Sequence, residues 1–213
     1  MELIIVLATG NHHKCKEMQA VLRGLPVSVK SLADFAPLVE PVEDGATFAE
    51  NACTKARHYA KALGLPCLAD DSGLVVDGLG GRPGVFSSRY AGPAATDGEN
   101  CRKLLAEMAG LEHRVAHFVS VLALAIPSGP ALTWEGRCDG LIISAPRGTT
   151  GFGYDPLFLF PELGLTFAEI SPAQKSALSH RGRSLAAFTA QFAVTLAWLG
   201  QQPAAPPSGP LPG

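Results

Sequence analysis

Two adjacent carboxylates, Asp70 and Asp71, directly follow the apolar run Pro66-Cys67-Leu68-Ala69. Such a run reads as a buried strand of an α/β protein, and ligands in α/β sheets gather at strand ends. The strand therefore delivers acid where a site is expected. If it continues through both aspartates, they point to opposite faces and only one enters a given site directly. The part-buried carboxylate needs a cation beside it. Ser72-Gly73 carries turn chemistry, so the chain is expected to turn there, with Leu74–Leu79, including Asp77, as a further strand.

The flanking chain alternates apolar runs with helical segments. Leu3–Ala8 is a continuous apolar β run, and Thr9-Gly10-Asn11 breaks it. His12–Leu22 follows with helical spacing, placing Cys15, Met18 and either Val21 or Leu22 on one side. A strand–turn–helix of this kind can offer backbone N–H groups to phosphate, with Lys14 adding charge in the first helical turn. The G-x-x-x-x-G-K-[ST] spacing of a P-loop is absent. Val27–Lys30 reads as a short strand. The irregular stretch after Asp34 delivers Glu40, Glu43 and Asp44 just before Gly45. Thr47 and Glu50 form a capping box for a helix that Gly64 stops, which gives Glu50 a structural task. Asn51 and Lys55 share a face of that helix at i, i+4, either as solvated polar groups or as part of a site.

Thr96 and Glu99 form a second capping box. His113–Ile126 reads as a long strand and Ala131–Ser144 as a further strand or bent pair, joined through Pro127-Ser128-Gly129-Pro130 as an antiparallel hairpin suited to a second lobe. Gly136 and Gly140 are expected bulges. His113 and His117 would be ~13 Å apart along a strand, too far to share an ion. The loop Gly148–Pro156 surrounds Phe152, Tyr154 and Asp155 with glycines, including Gly153, which permits close backbone approach and ring stacking. Ser171-Pro172 opens a helix carrying Lys175. Ser179–Gly182 starts a last helix with the stripe Leu185, Phe188, Phe192, Leu196 and Leu199. Lys175, His180 and Arg181 are expected to be exposed there. The macrodipole disfavours cations at a helix start, so they call for an anion or a ring edge.

Composition narrows the class. With 213 residues and 47% hydrophobic content, the chain can build one core or two small lobes. With a net charge of −2, no basic excess suggests duplex nucleic acid or an anionic membrane as partner. The five cysteines are scattered without a C-x-x-C pair, as expected of reduced thiols in a cytoplasmic protein. The apolar N-terminal run is too short for a signal peptide or membrane span. The Pro- and Gly-rich tail 201–213 is expected to be disordered, leaving 1–200 as the folded domain.

Carboxylates, a phosphate-suited turn with lysines, and a ring-reading set together suggest a nucleoside triphosphate handled with Mg²⁺. The sequence resembles the inosine/xanthosine triphosphate pyrophosphatases. The resemblance is carried, in order along the chain, by ATGNHHK (8–14), EDGATFAENACTKA (43–56), LADDSGLVVDGLGGRPGVFSSRYAG (68–92), GFGYDP (151–156) and KSALSHRG (175–182). It implies an elongated α/β fold, with a mixed sheet and two lobes around a central nucleotide-binding cleft, usually as a homodimer. It implies Mg²⁺-dependent hydrolysis of ITP, dITP and XTP to the monophosphate and pyrophosphate. By position, Thr9, Gly10, Asn11 and Lys14 match the triphosphate-binding motif. Asp71 matches the general base and a metal ligand, Ser72 a substrate contact, and Glu43 a metal ligand whose role Glu40 or Asp44 could share. Phe152, Gly153, Tyr154, Asp155, Lys175, His180 and Arg181 match nucleotide-binding positions. A nucleotide-binding module without catalysis is the competing reading, and the paired aspartates speak against it.

Overall fold

The computed structural model describes residues 3–201; the tail expectation lies outside this range apart from residue 201. A seven-stranded mixed sheet runs in the order β2-β1-β3-β4-β5-β6-β7. Its strands are β1 Ile4–Leu7, β2 Ser28–Ser31, β3 Cys67–Val76, β4 Val115–Ala125, β5 Ala131–Ile142, β6 Phe158–Phe160 and β7 Leu165–Thr166. β1 is parallel to both β2 and β3. The pairs β5–β6 and β6–β7 are antiparallel. Among the described residues six α-helices accompany the sheet: α1 His12–Leu22, α2 Phe48–Leu63, α3 Asp97–Glu107, α4 Pro172–Leu178, α5 His180–Ala190 and α6 Phe192–Gly200.

The helix boundaries follow local chemistry. Asn11 caps α1, its side-chain oxygen accepting from the His13 and Lys14 amides. Thr47 and Glu50 close a reciprocal box at α2, which ends on Gly64 at φ 67, a left-handed conformation that suits glycine. Thr96 with Glu99 and Ser171 with Gln174 do the same for α3 and α4. The expected single last helix is two, because Gln191 (φ −99, ψ 10) leaves helical geometry between α5 and α6. Its side-chain oxygen accepts the Trp134 indole N–H at 2.9 Å.

The described residues pack as two units, one of residues 3–71, 121–134 and 185–201, the other of 72–120 and 135–184. Each has its own core. In the first, Ile5, Leu7, Met18, Leu22, Leu68, Leu122 and Phe188 pack together. In the second, Leu74, Leu104, Phe118, Ile142, Phe158 and Phe167 do so.

Three expectations are corrected. The chain does not turn at Ser72-Gly73: β3 is continuous from Cys67 to Val76, and Asp77–Leu79 is a short 3-10 turn rather than a strand end. Instead of folding back on local backbone, the Ser72 hydroxyl accepts from the Arg181 guanidinium. The β4–β5 hairpin is antiparallel, with Ile126 N–H donating to Pro130 O at 3.1 Å and Ile142 N–H to Arg114 O at 2.9 Å. It supplies residues to both units instead of building a second lobe alone. Gly136 and Gly140 are not bulges, since burial alternates without interruption from Thr133 to Cys138 and on to Gly140. A Cβ at Gly136 would collide with the His180 carbonyl oxygen and the Ser184 amide, so the glycine is there for close approach of α5. Gly136→Ala is expected to cost about 1–3 kcal/mol in urea unfolding, the range typical of overpacking.

Candidate functional site

In the first unit, β1, α1, α2 and β3 bring charged groups together. Thr9 Oγ1 accepts from the Asn11 amide at 3.1 Å, which tightens the turn after β1. The Asn11 cap already occupies the His13 and Lys14 amides, so part of the turn's anion-binding capacity serves the helix itself. Gly10 leaves room beside it for Glu40, whose Oε1 would lie 3.7 Å from a Cβ there. Lys14 reaches the Asp70 carboxylate at 2.8 Å. Lys55 pairs with Glu43 at 3.0 Å and donates to the Asp70 carbonyl oxygen at 3.4 Å. Asn51, by contrast, is buried and takes a structural task, accepting from the Gly45 amide at 2.8 Å. Lys55 is thus the residue the sequence left undecided and the fold draws into the charged cluster.

Because β3 runs straight through both aspartates, they fall on opposite faces. Asp70 is fully buried against Lys14, the cation that its burial demands. Asp71 is 8% exposed, and its buried Oδ2 has no hydrogen-bond partner among the described residues. Burial raises the Asp71 carboxyl above its ordinary value. Lys14 and Lys55 oppose that shift, while Glu43 and Asp70 reinforce it. An orphaned buried carboxylate oxygen with a second carboxylate nearby suits a hard divalent cation. Among the described residues no three His, Cys, Asp or Glu side chains form a closed metal cage. Mg²⁺ does not need one, since it binds through one or two carboxylates and completes its shell with phosphate oxygens and water. The residues present fit such an ion.

In the second unit, Lys175, His180 and Arg181 are buried, at 6%, 5% and 1% exposure, where the sequence predicted exposed cations. Each meets an anion or a ring, although only His180 and Arg181 stand at a helix start, Lys175 lying in the last turn of α4. Lys175 forms a short ion pair with Asp155. Its ammonium lies 4.6 Å from the Phe152 ring centroid, and the Arg181 guanidinium lies 5.7 Å from the same ring. Arg181 also donates to Ser72 Oγ at 2.9 Å. His180 stacks on Phe118 with centroids 4.7 Å apart and planes 15° from parallel. Two cations beside one aromatic ring hold it by cation–π attraction.

The glycine loop is closed by its own members. Asp155 accepts from the Phe152 amide at 2.9 Å. Gly153 turns the chain at φ 61. Tyr154 is 3% exposed, and its hydroxyl donates to the Ser87 carbonyl at 2.9 Å, so its ring packs in the core. Burial pushes that phenol far up. Phe152 is the half-buried aromatic of the loop. His113 and His117 lie 4.0 and 3.7 Å from the two oxygens of Asp77. They share a carboxylate, and with it form no metal cluster.

The family model described as "Ham1 family" matches residues 5–191. A dITP/XTP pyrophosphatase of Desulfotalea psychrophila is 53% identical over 199 residues, covering 93% of this chain and 89% of the relative. One of Thermus thermophilus is 55% identical over 185 residues, covering 86% and 88%. The solved structure of a HAM1 protein from Coxiella burnetii superposes with a TM-score of 0.83 at 45% identity, covering 92% of this chain and 99% of that one. A nucleoside-triphosphatase / dITP/XTP pyrophosphatase from Mycobacterium abscessus gives 0.73 at 44%, covering 87% and 98%. The protein thus has the mixed α/β fold of those structures. It belongs to the Ham1 family.

Proposed function

We propose that this protein hydrolyses dITP, ITP and XTP to the nucleoside monophosphate and pyrophosphate, and so removes non-canonical purines from the nucleotide pool. The observation that carries the reading is Asp71, a buried carboxylate whose Oδ2 lacks a hydrogen-bond partner among the described residues, beside the Lys14–Asp70 and Lys55–Glu43 pairs. The names of relatives more than 50% identical support the substrate class.

Mg²⁺ is the cation proposed, held by Asp71 and Glu43; when bound it supplies neutralisation of phosphate charge and polarisation of the α–β anhydride. Asp71 accepts the proton of the attacking water. Asp70, locked to Lys14, holds that lysine in place beside the turn. Lys14 and Lys175 balance charge on the phosphates. The Phe152 ring offers a stacking face for a base. Arg181 and His180 donate towards a purine 6-oxo group, where the 6-amino group of adenine would meet a donor and leave it unpaired. Free thiols at all five cysteines support a reducing, cytoplasmic compartment. A homodimer is the assembly proposed.

The test is a pyrophosphate-release screen over ITP, dITP, XTP, GTP and ATP with and without Mg²⁺. Pyrophosphate is expected from the first three only with Mg²⁺, with kcat/KM for ATP lower by at least about a hundredfold. Orthophosphate as the first product would overturn the reading, and tight ITP binding without any product would make the protein a sensor.

A further inference from the structure

Both backbone polar groups of Gly153 are held from outside the loop, and by the same helix. Asp97, the first residue of α3, accepts from the Gly153 amide at 2.7 Å through Oδ2. One turn on, the Cys101 thiol donates to the Gly153 carbonyl oxygen at 3.4 Å. Burial pushes that thiol up to about 11, so it stays protonated and able to donate. Asp97 and Cys101 stand at i, i+4 and share a helix face, so α3 grips Gly153 at its N–H and its C=O together. Resting on the functional reading above, we propose that Asp97 and Cys101 are positioning residues for base recognition, which set the Phe152 ring by fixing the next residue in the chain.

The grip is built on a firm base. Asn100, 2% exposed, accepts from the Ala91 amide at 2.8 Å and donates to the Ser88 carbonyl at 3.1 Å. α3 therefore cannot follow the loop if the loop drifts. Within the loop, Asp155 holds the Phe152 amide, and Gly153 adopts the left-handed φ of 61. A left-handed glycine pinned at both polar groups has little freedom, and Phe152 inherits that restriction. Lys175 and Arg181 then meet the ring where the two holds place it.

A purely structural role predicts a loss of stability alone. A positioning role predicts a change in substrate binding, because a misplaced ring loses stacking with the base before it loses chemistry at the phosphates. Asp97→Ala is expected to raise KM for ITP about three- to tenfold with kcat within about twofold. Asp97→Asn keeps a side-chain acceptor and is expected to restore KM to within about twofold of wild type. Cys101→Ala, losing a weak thiol donor, is expected to shift KM in the same direction by less. Glu99→Ala breaks the cap of the same helix without touching Gly153, and is expected to lower Tm while leaving KM unchanged. The Gly153 amide, followed by NMR hydrogen exchange on the intact protein, is expected to exchange at least about tenfold faster in Asp97→Ala than in wild type or Glu99→Ala. Unchanged KM in Asp97→Ala, an equal KM shift in Glu99→Ala, or unchanged Gly153 exchange would each overturn the proposal. Failure of the wild-type protein to release pyrophosphate from ITP would instead overturn the functional reading, and the exchange measurement would still decide whether Asp97 holds the loop.

Discussion

Asp71→Asn is expected to lower kcat for pyrophosphate release by about 10²–10⁴-fold, the range lost when a positioned general base is removed. ITP binding should survive, because the lysines and the ring-holding set are untouched. The same substitution is expected to stabilise the fold when divalent cations are chelated. Burial raises the Asp71 carboxyl, so the folded protein binds that proton more tightly than the unfolded chain does. The stability this confers is fully present below about pH 4, the ordinary carboxylate value, and is lost as pH rises through the higher folded value. Above it, the wild-type fold carries an ionised carboxylate with a buried oxygen lacking a hydrogen bond, whereas Asn carries no charge. Thermal unfolding in EDTA should therefore give the variant the higher Tm at pH 8, with the gap closing towards pH 4. Adding Mg²⁺ should raise the wild-type Tm more than the variant's. Near-normal turnover in Asp71→Asn would place the base elsewhere. Loss of ITP binding would show that the carboxylate acts in binding rather than proton transfer.

What could be read from the sequence divides by the distance between partners. Thr47, Thr96 and Ser171 announce their helices because each capping partner lies three residues away. The apolar runs at Ile4–Leu7 and Cys67–Ala69 announce buried strands for the same local reason. Ser72-Gly73 misleads because it carries turn chemistry whose use depends on long-range partners. The Ser72 hydroxyl is engaged by Arg181, 109 positions on, and the Leu74 amide by Ser87. Lys175 and Arg181 looked exposed because the residues that neutralise or cover them come from Asp155, Phe152 and Ser72, which no helical periodicity reveals. The oddity of cations at a helix start was the one local sign that such partners must exist. Asp97 left a fainter sign. An acidic residue in the first turn of a capped helix is fully accounted for by the macrodipole, so its bond to Gly153 is visible only in three dimensions. The hairpin of β4 and β5 was legible as a hairpin, but its division between two cores was not, because apolar runs do not say which neighbours will bury them.

Asp155→Ala is expected to destabilise the second unit by about 3–5 kcal/mol in urea unfolding at neutral pH. Asp155 and Lys175 form an ion pair with side-chain exposures of 3% and 8%, and removing the carboxylate leaves an ammonium inside the protein with its solvation unreplaced. The carboxylate also accepts from the Phe152 amide and fills the space beside Gly151, where a Cβ would strike it. Its loss should release the loop as well as expose the charge. Lys175→Met in the same chain removes the stranded cation while keeping an apolar stem against Phe152 and Phe167. The double variant is accordingly expected to recover more than half of the lost stability, since a buried ion pair contributes little net stability over an apolar replacement of similar size. It should still fail to turn over ITP. A folded double variant without activity would show that this pair serves the site, through the nucleotide or through the loop that carries Phe152, more than the fold. A double variant as unstable as Asp155→Ala would show instead that the carboxylate's hold on the loop, rather than its neutralisation of Lys175, is what the second unit depends on.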